Sequence, residues 1–127
     1  MILAIDLGNT NIDIGGFEEN ELKFVTRLST EIKKTEDEFA VSVLSCLSLY
    51  GINKCDVSGV IVSSVVPPLN PVIKNAVLFL FKTEPIFVGP GIKSGIGIRC
   101  DTPSSVGADI ISAAVAAHYI YGSPSLI

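Results

Sequence analysis

Three short β-type segments, joined by turns, open this chain and constrain its fold more than any other feature. They cover residues 1–6, 12–17 and 22–28, and the polar run at 18–21 forms the second turn. Consecutive strands with such short connections pair as antiparallel neighbours. The Gly15-Gly16 pair in the second segment predicts a β-bulge or a close backbone approach. The sequence therefore predicts an antiparallel meander at the N-terminus.

A helix and a strand follow this meander. Thr35 and Glu38 have the spacing of a capping box, and apolar residues then recur at helical intervals as far as Gly51, which is well placed to end the helix. A strongly β-branched run at residues 57–66 predicts a strand buried on both faces. Ser63-Ser64 lies near the C-terminal end of this run. Open α/β sheets bind ligands at the C-terminal ends of their strands. Two small residues can also end a strand without any function.

The second half of the chain continues the alternation of helices and strands. Pro67-Pro68 opens a predicted helix at 69–81, and a short strand follows at 86–88. Three glycines and a proline make residues 89–95 a shaped loop. Residues 96–99 are predicted as a short edge strand or extended segment, and residues 106–120 as a helix. The fold class is therefore α/β and ribonuclease-H-like, a mixed sheet of three antiparallel strands followed by alternating helices and strands.

The turn between the first two segments, Asp6-Leu7-Gly8-Asn9-Thr10-Asn11, is a candidate ligand site. Gly8 allows a tight turn and brings backbone N–H groups close to a ligand. Asn9 and Thr10 add neutral donors that suit phosphate oxygens, and the Asp6 carboxylate suits a hydrated Mg²⁺. An ordinary hairpin with a turn-forming Asn-Thr pair explains the same residues without a ligand.

A second candidate is Asp109, in the first turns of the last predicted helix. A structural role is available, because acidic side chains are favoured near a helix N-terminus. Its neighbours are small or apolar, however, so the carboxylate is partly desolvated unless it faces a cleft. The glycine-rich loop lacks the glycine spacing and the ending of a phosphate-binding P-loop, so by itself it indicates little.

Composition limits the remaining possibilities. The chain has 127 residues, is 48% hydrophobic and carries a net charge of −4 without a basic cluster, which argues against nucleic acid and anionic membranes as partners. Its apolar runs fall short of the roughly 20 residues that a membrane span needs. Cys46, Cys55 and Cys100 are odd in number and lack metal-ligand spacing. They are predicted to be reduced thiols that fill the core of a cytoplasmic protein.

Three motifs together, in their order along the chain, resemble the N-terminal domain of type III pantothenate kinases. They are Asp6 to Asn11, Gly89 to Gly95, and Pro103 through the Val106-Gly107-Ala108-Asp109 run. The resemblance implies an actin-like ATPase domain, and a whole protein with two such domains and ATP between them. It implies ATP-dependent phosphorylation of pantothenate in coenzyme A synthesis, by a cytoplasmic homodimer that needs Mg²⁺ and a monovalent cation, K⁺ or NH₄⁺.

The resemblance also implies roles for particular residues. The first phosphate-binding segment would comprise Asp6, Leu7, Gly8, Asn9, Thr10, Asn11, Ile12 and Asp13, with Asp6 reaching Mg²⁺ through water. The pantothenate-binding group would comprise Cys100, Gly107, Ala108, Asp109 and Ile110. Asp109 would act as the base on the substrate hydroxyl. The ligands of the monovalent cation are expected in a second domain outside residues 1–127.

Three departures from the family pattern leave other functions open. The family usually has arginine where Ile110 stands and often has an aromatic residue, usually tyrosine, where Cys100 stands. It also continues past the position of Ile127 with a second phosphate loop, so residues 1–127 are expected to be one domain that is inactive alone. One alternative is an actin-like kinase with another small-molecule substrate. The other is a non-catalytic regulator or binding relative, which Ile110 favours.

Overall fold

The computed structural model describes residues 1–127 and contains five strands and three α-helices. In chain order they are β1 (Ile2–Leu7), β2 (Asn11–Glu18), β3 (Glu21–Ser29), α1 (Glu36–Leu49), β4 (Gly59–Ser64), α2 (Asn70–Phe81), β5 (Ile86–Phe87) and α3 (Ala108–Tyr121). Short 3₁₀ turns occupy Lys54–Asp56, Pro67–Leu69 and Pro103–Ser105. None of the helices combines the length and the apolar character that crossing a membrane requires. The predicted order of strands and helices is confirmed.

The five strands form one mixed sheet in the order β3-β2-β1-β4-β5. β1 pairs antiparallel with β2, and β2 pairs antiparallel with β3, which confirms the meander. β4 lies parallel to both β1 and β5. β1 is thus the central strand, and its C-terminal end lies beside the C-terminal end of β4.

The predicted irregularity at Gly15-Gly16 is confirmed. The β2–β3 register shifts between Gly16 and Phe17, as a β-bulge requires. A side chain at Gly16 would collide with the Phe24 ring, so the backbone also makes the close approach that the glycine pair predicted.

The main core lies on one face of the sheet. Alternate residues of β1, namely Leu3, Ile5 and Leu7, are buried on this face, because successive side chains of a strand point to opposite sides. Helices α1 and α2 pack against each other, and Phe39 at 2% exposure anchors α1 in the same core. Each such side chain contributes about 1.5–3 kcal/mol on full burial.

The opposite face of the sheet is only partly covered. β4 packs against α3, whose buried residues Ala108 and Ile111 lie outside the main core. The β1–β2 side of this face remains open, because Ile2 and Asp6 are exposed there. Of the ligand-binding residues predicted from the sequence, Asp6 and Asp13 therefore lie on a half-covered sheet face.

The helix ends follow the predicted capping with small shifts. In α1, Glu38 N–H donates to Thr35 Oγ1 (3.3 Å) and Thr35 N–H donates to Glu38 Oε2 (2.8 Å), which confirms the capping box. Gly51 follows Tyr50, the final cap residue, with φ +68°, a conformation that glycine adopts without strain. α3 begins at Ala108 rather than at 106, because the Pro103–Ser105 turn is separate and Gly107 is extended.

Three further predictions from the sequence are wrong in detail. Residues 96–99 form no strand, so the edge strand is the wrong one of the two predicted alternatives. β4 covers only Gly59–Ser64, and its residues facing α3 are incompletely buried except for Ser63. Of the cysteines only Cys46 fills the core, because Cys55 lies in an exposed 3₁₀ turn and Cys100 in an exposed loop; all three are free thiols.

Candidate functional site

A row of polar side chains crosses the open face of the sheet. In register, Arg27 of β3 lies opposite Asp13 of β2, Asp13 lies opposite Asp6 of β1, and Asp6 lies beside Ser63 of β4. Residues that are directly opposite one another on neighbouring strands point to the same face. The row therefore places two carboxylates at the C-terminal end of β1, next to the β1–β2 turn.

The β1–β2 turn is fixed at its ends and open at its tip. Gly8 N–H donates to the carbonyl of Asn11 (2.9 Å), which closes the turn. Leu7 and Ile12, on either side, are buried in the main core, whereas Asn9 and Thr10 are exposed. The predicted segment from Asp6 to Asp13 is thus one continuous hairpin whose polar groups at the tip are accessible.

The two carboxylates of the row differ in their partners. Arg27 Nε and Nη2 donate to Asp13 Oδ1 and Oδ2 at 2.6 and 2.9 Å, a bidentate pair. This hydrogen bonding lowers the pKa of Asp13 below its ordinary value, and it raises the pKa of Arg27. The Asp6 side chain is exposed and makes no hydrogen bond or ion pair within the chain. Asp6 is the free carboxylate of the hairpin.

This donor set fits Mg²⁺ held largely by a nucleotide. Mg²⁺ keeps several waters and is bound through one or two carboxylates together with substrate phosphates. The chain contains no cluster of three or more His, Cys, Asp or Glu side chains that would form a protein cage for a metal. A single unpartnered carboxylate beside accessible N–H and hydroxyl donors matches a site in which one carboxylate and the phosphates of a nucleotide bind the Mg²⁺.

The first turn of α3 carries the second predicted group. The Asp109 side chain is exposed, and its Oδ1 accepts a hydrogen bond from Ile110 N–H at 2.8 Å. The same oxygen lies against Gly107, where any Cβ would collide with it. Gly107 therefore leaves the space that the Asp109 carboxylate occupies, and the positive end of the α3 dipole favours a carboxylate there.

The remaining predicted residues of this group differ in accessibility. Ala108 is buried against the sheet and offers only its backbone to a ligand. Ile110 is 55% exposed, and Cys100 is exposed in the loop that precedes α3. The structure brings Gly107, Ala108, Asp109 and Ile110 together in one turn of α3, whereas Cys100 lies outside that turn.

The glycine-rich loop packs on α3. Gly91 and Gly95 have positive φ, and a side chain at Gly95 would collide with the hydroxyl of Tyr119. The glycine-rich loop thus contacts the last turn of α3. Tyr119 carried no signal in the sequence, because an exposed tyrosine late in an apolar helix has no characteristic partner.

Sequence reasoning missed Arg27 and Thr30, which hold the hairpin from β3 and from the residue after it. Thr30 N–H donates to the Thr10 carbonyl (2.9 Å), and Thr30 Oγ1 donates to the Gly8 carbonyl (2.7 Å). Alternation along β3 would have placed Arg27 on a polar face, but its partner depends on the register. Nothing in the sequence near Thr30 indicates contact with a turn some twenty residues earlier.

The two serines at the end of β4 have opposite environments. Ser63 is 7% exposed, and its hydroxyl has no hydrogen-bond partner. Ser64 Oγ donates to Asn70 Oδ1 (2.6 Å) and accepts from Val66 N–H (3.2 Å), joining β4 to α2. A buried hydroxyl without a partner costs about 1–3 kcal/mol.

We expect Ser63→Ala to leave the free energy of unfolding unchanged or to raise it by up to about 1 kcal/mol, because it removes the unpaired hydroxyl. Ser64→Ala, the matched control, should lower the same free energy by about 1 kcal/mol, because it removes both hydrogen bonds. Urea unfolding of the two variants measures the difference. Equal destabilisation by both substitutions would contradict the unpaired state of Ser63.

Comparison with known proteins agrees with this architecture. The family model described as type III pantothenate kinase matches residues 2–127. A type III pantothenate kinase of Geobacillus sp. (strain WCH70) is 45% identical over 127 residues, which are all of this chain and 49% of that relative. The chain thus spans about half the length of the curated relative it matches. The mixed sheet and three helices agree with the actin-like ATPase fold of this family. The chain belongs to the type III pantothenate kinase family.

Proposed function

We propose that this chain is the N-terminal domain of an enzyme that transfers the γ-phosphoryl group of ATP to pantothenate, giving 4′-phosphopantothenate in the first step of coenzyme A synthesis. The observation that carries the proposal is the free Asp6 carboxylate beside the open tip of the β1–β2 hairpin, in a chain of this family. A hairpin with that chemistry suits a nucleotide polyphosphate and its Mg²⁺.

On the nucleotide side, the hairpin binds and orients phosphate oxygens. The backbone N–H groups and the side chains of Asn9 and Thr10 supply neutral donors at the tip, and Asp6 would hold the hydrated Mg²⁺. The metal ion, when bound with ATP, supplies positive charge that offsets the charge on the phosphoryl oxygens. Phosphoryl transfer depends mainly on such positioning and charge stabilisation.

On the acceptor side, Asp109 accepts the proton of the pantothenate hydroxyl. The backbone of Gly107 and Ala108 contacts the substrate, and Ile110 and Cys100 lie at the margin of the substrate-binding site. A carboxylate is a weak base, but a loose, metaphosphate-like transition state requires little assistance from its base. The exposed position of Asp109 on the first turn of α3 supports this role, since an approaching alcohol can reach it.

The whole enzyme would contain a second ribonuclease-H-like domain that closes the ATP cleft. Residues 1–127 would then lack turnover by themselves. The second domain would supply the ligands of a monovalent cation, K⁺ or NH₄⁺. The whole enzyme would be a homodimer in the cytoplasm.

Ile110 gives a direct test of the substrate pocket. We expect Ile110→Arg in the full-length protein to lower the KM for pantothenate about 10-fold or more, because a charged hydrogen bond to an anionic substrate contributes about 1.5–3 kcal/mol. Ile110 is exposed, so the longer side chain does not need a space in the core. Ala116→Arg, at another exposed position of α3, is the matched control and should leave this KM unchanged. Equal KM values for all three proteins would place pantothenate away from residue 110.

Pantothenate-dependent consumption of ATP by the full-length protein, with K⁺ and Mg²⁺ supplied, tests the proposed function itself. Turnover that requires pantothenate supports it. Turnover with another small alcohol and not with pantothenate would indicate a kinase of different specificity. Nucleotide binding without turnover on any acceptor would favour the regulator, the candidate that the apolar, exposed Ile110 supports.

A further inference from the structure

We propose that Thr30 is a positioning residue that holds the β1–β2 turn in its phosphate-binding shape. The proposal rests on the proposed function, because it assumes that the turn binds the phosphates of a nucleotide. It assigns a role to a residue outside both groups of predicted site residues.

Thr30 ties down both sides of the turn tip. Its hydroxyl donates to the Gly8 carbonyl at 2.7 Å, and its N–H donates to the Thr10 carbonyl at 2.9 Å. Thr30 lies just beyond the β2–β3 ladder, whose last pair is Asn11 with Ser29. These two hydrogen bonds therefore extend the support that β3 gives to the hairpin as far as the residues flanking Asn9.

The bonds to the carbonyls also set the direction of N–H groups. Each peptide unit is planar and trans, so its N–H points away from its own C=O. The Gly8 carbonyl shares a peptide plane with Asn9 N–H, and the Thr10 carbonyl shares one with Asn11 N–H. Because Thr30 holds both carbonyls, both N–H groups are directed to the side of the turn away from Thr30.

Of the two hydrogen bonds that Thr30 donates, only the one from its hydroxyl can be removed by a substitution of the side chain. A valine at position 30 keeps the branched shape and the backbone N–H, but it leaves the Gly8 carbonyl without its donor. No hydrogen bond from Thr30 then fixes the orientation of the Gly8–Asn9 peptide plane. Phosphate donors that are displaced by as little as about 1 Å lose much of their catalytic effect.

Thr30→Val and Thr30→Ser in the full-length protein form a matched pair. We expect Thr30→Val to lower kcat/KM for ATP on the order of 10-fold, while the KM for pantothenate stays within about twofold of the wild type. Thr30→Ser keeps the hydroxyl and should restore kcat/KM for ATP to within about threefold of the wild type. Equal losses in the two variants, or equal shifts in the two KM values, would overturn the proposal.

Two further measurements do not depend on turnover. Calorimetric binding of Mg-ADP should be weaker in Thr30→Val than in Thr30→Ser, and amide exchange at Gly8 should be faster in the valine variant. If the wild type binds Mg-ADP but does not phosphorylate pantothenate, the proposed function fails while this difference between variants still supports Thr30. A lower melting temperature with unchanged Mg-ADP affinity, or a wild type that binds no nucleotide, overturns the role of Thr30.

Discussion

Asp109→Asn in the full-length protein is expected to lower the turnover of pantothenate by about 10²–10⁴-fold, the usual effect of losing a general base. The change is nearly isosteric. The asparagine side-chain oxygen can still accept the hydrogen bond that Ile110 N–H gives to Asp109. It also fits the space that Gly107 leaves open. The loss should therefore appear in kcat, with the fold and the affinity for nucleotide retained.

Asp37→Asn is the matched control for this prediction. Asp37, like Asp109, is an exposed aspartate in the first turn of a helix, so both substitutions remove the same favourable interaction with a helix dipole. Steady-state kinetics and melting temperatures of the two variants separate chemistry from stability. Similar small losses of stability with normal turnover in both would reduce Asp109 to a helix-dipole residue and would favour the regulator.

Asp6→Asn should lower turnover at saturating ATP and Mg²⁺ on the order of 10²-fold or more, judging from electrostatic contributions at similar sites. The KM for pantothenate should change much less, because this carboxylate acts on the metal ion and the phosphates. Asp6 has no partner inside the chain, so its replacement breaks no contact that stabilises the fold. Turnover measured against Mg²⁺ concentration checks the assignment.

The same Mg²⁺ titration can contradict the assignment of Asp6 to the metal ion and the phosphates. Wild-type turnover of the variant at saturating Mg²⁺ and ATP would contradict the predicted loss. A variant with wild-type turnover at ordinary Mg²⁺ would remove Asp6 from the site altogether. Asp37→Asn again serves as the control for replacing an exposed aspartate by asparagine.

Local signals in the sequence predicted the elements of this fold well. The capping box at Thr35 and Glu38 depends only on residues three apart, and the meander depends on strands separated by short turns. Both are interactions between near neighbours in the chain. The start of α3 was less predictable, because a 3₁₀ turn and a helix favour the same residues, and Pro103 opens the 3₁₀ turn rather than the helix.

The support of the hairpin was not predictable, because it depends on strand register. Counting back from Glu18 opposite Glu21 without the bulge places Thr26, not Arg27, opposite Asp13. A shift of one residue moves a side chain to the other face of a sheet. The glycine pair indicated that a bulge could occur there, but it did not give the new partner. Thr30 lies outside any ladder, so no pairing rule reaches it.

The pairing of Asp13 with Arg27 has a consequence for the charge that a nucleotide meets. Two free carboxylates side by side at the end of β1 would repel a polyphosphate, whereas the guanidinium cancels one of them and leaves Asp6 to attract the metal ion. Because the pKa of Asp13 lies below its ordinary value, the pair stays charged at pH values where an unpaired aspartate begins to take up a proton. Its stabilising effect is complete above the ordinary pKa of aspartate, declines below it, and is lost as the pH falls through the lowered pKa of Asp13. Mild acidification therefore leaves the contribution of Asp13 and Arg27 to the local electric field in place until the pH reaches the lowered pKa of Asp13.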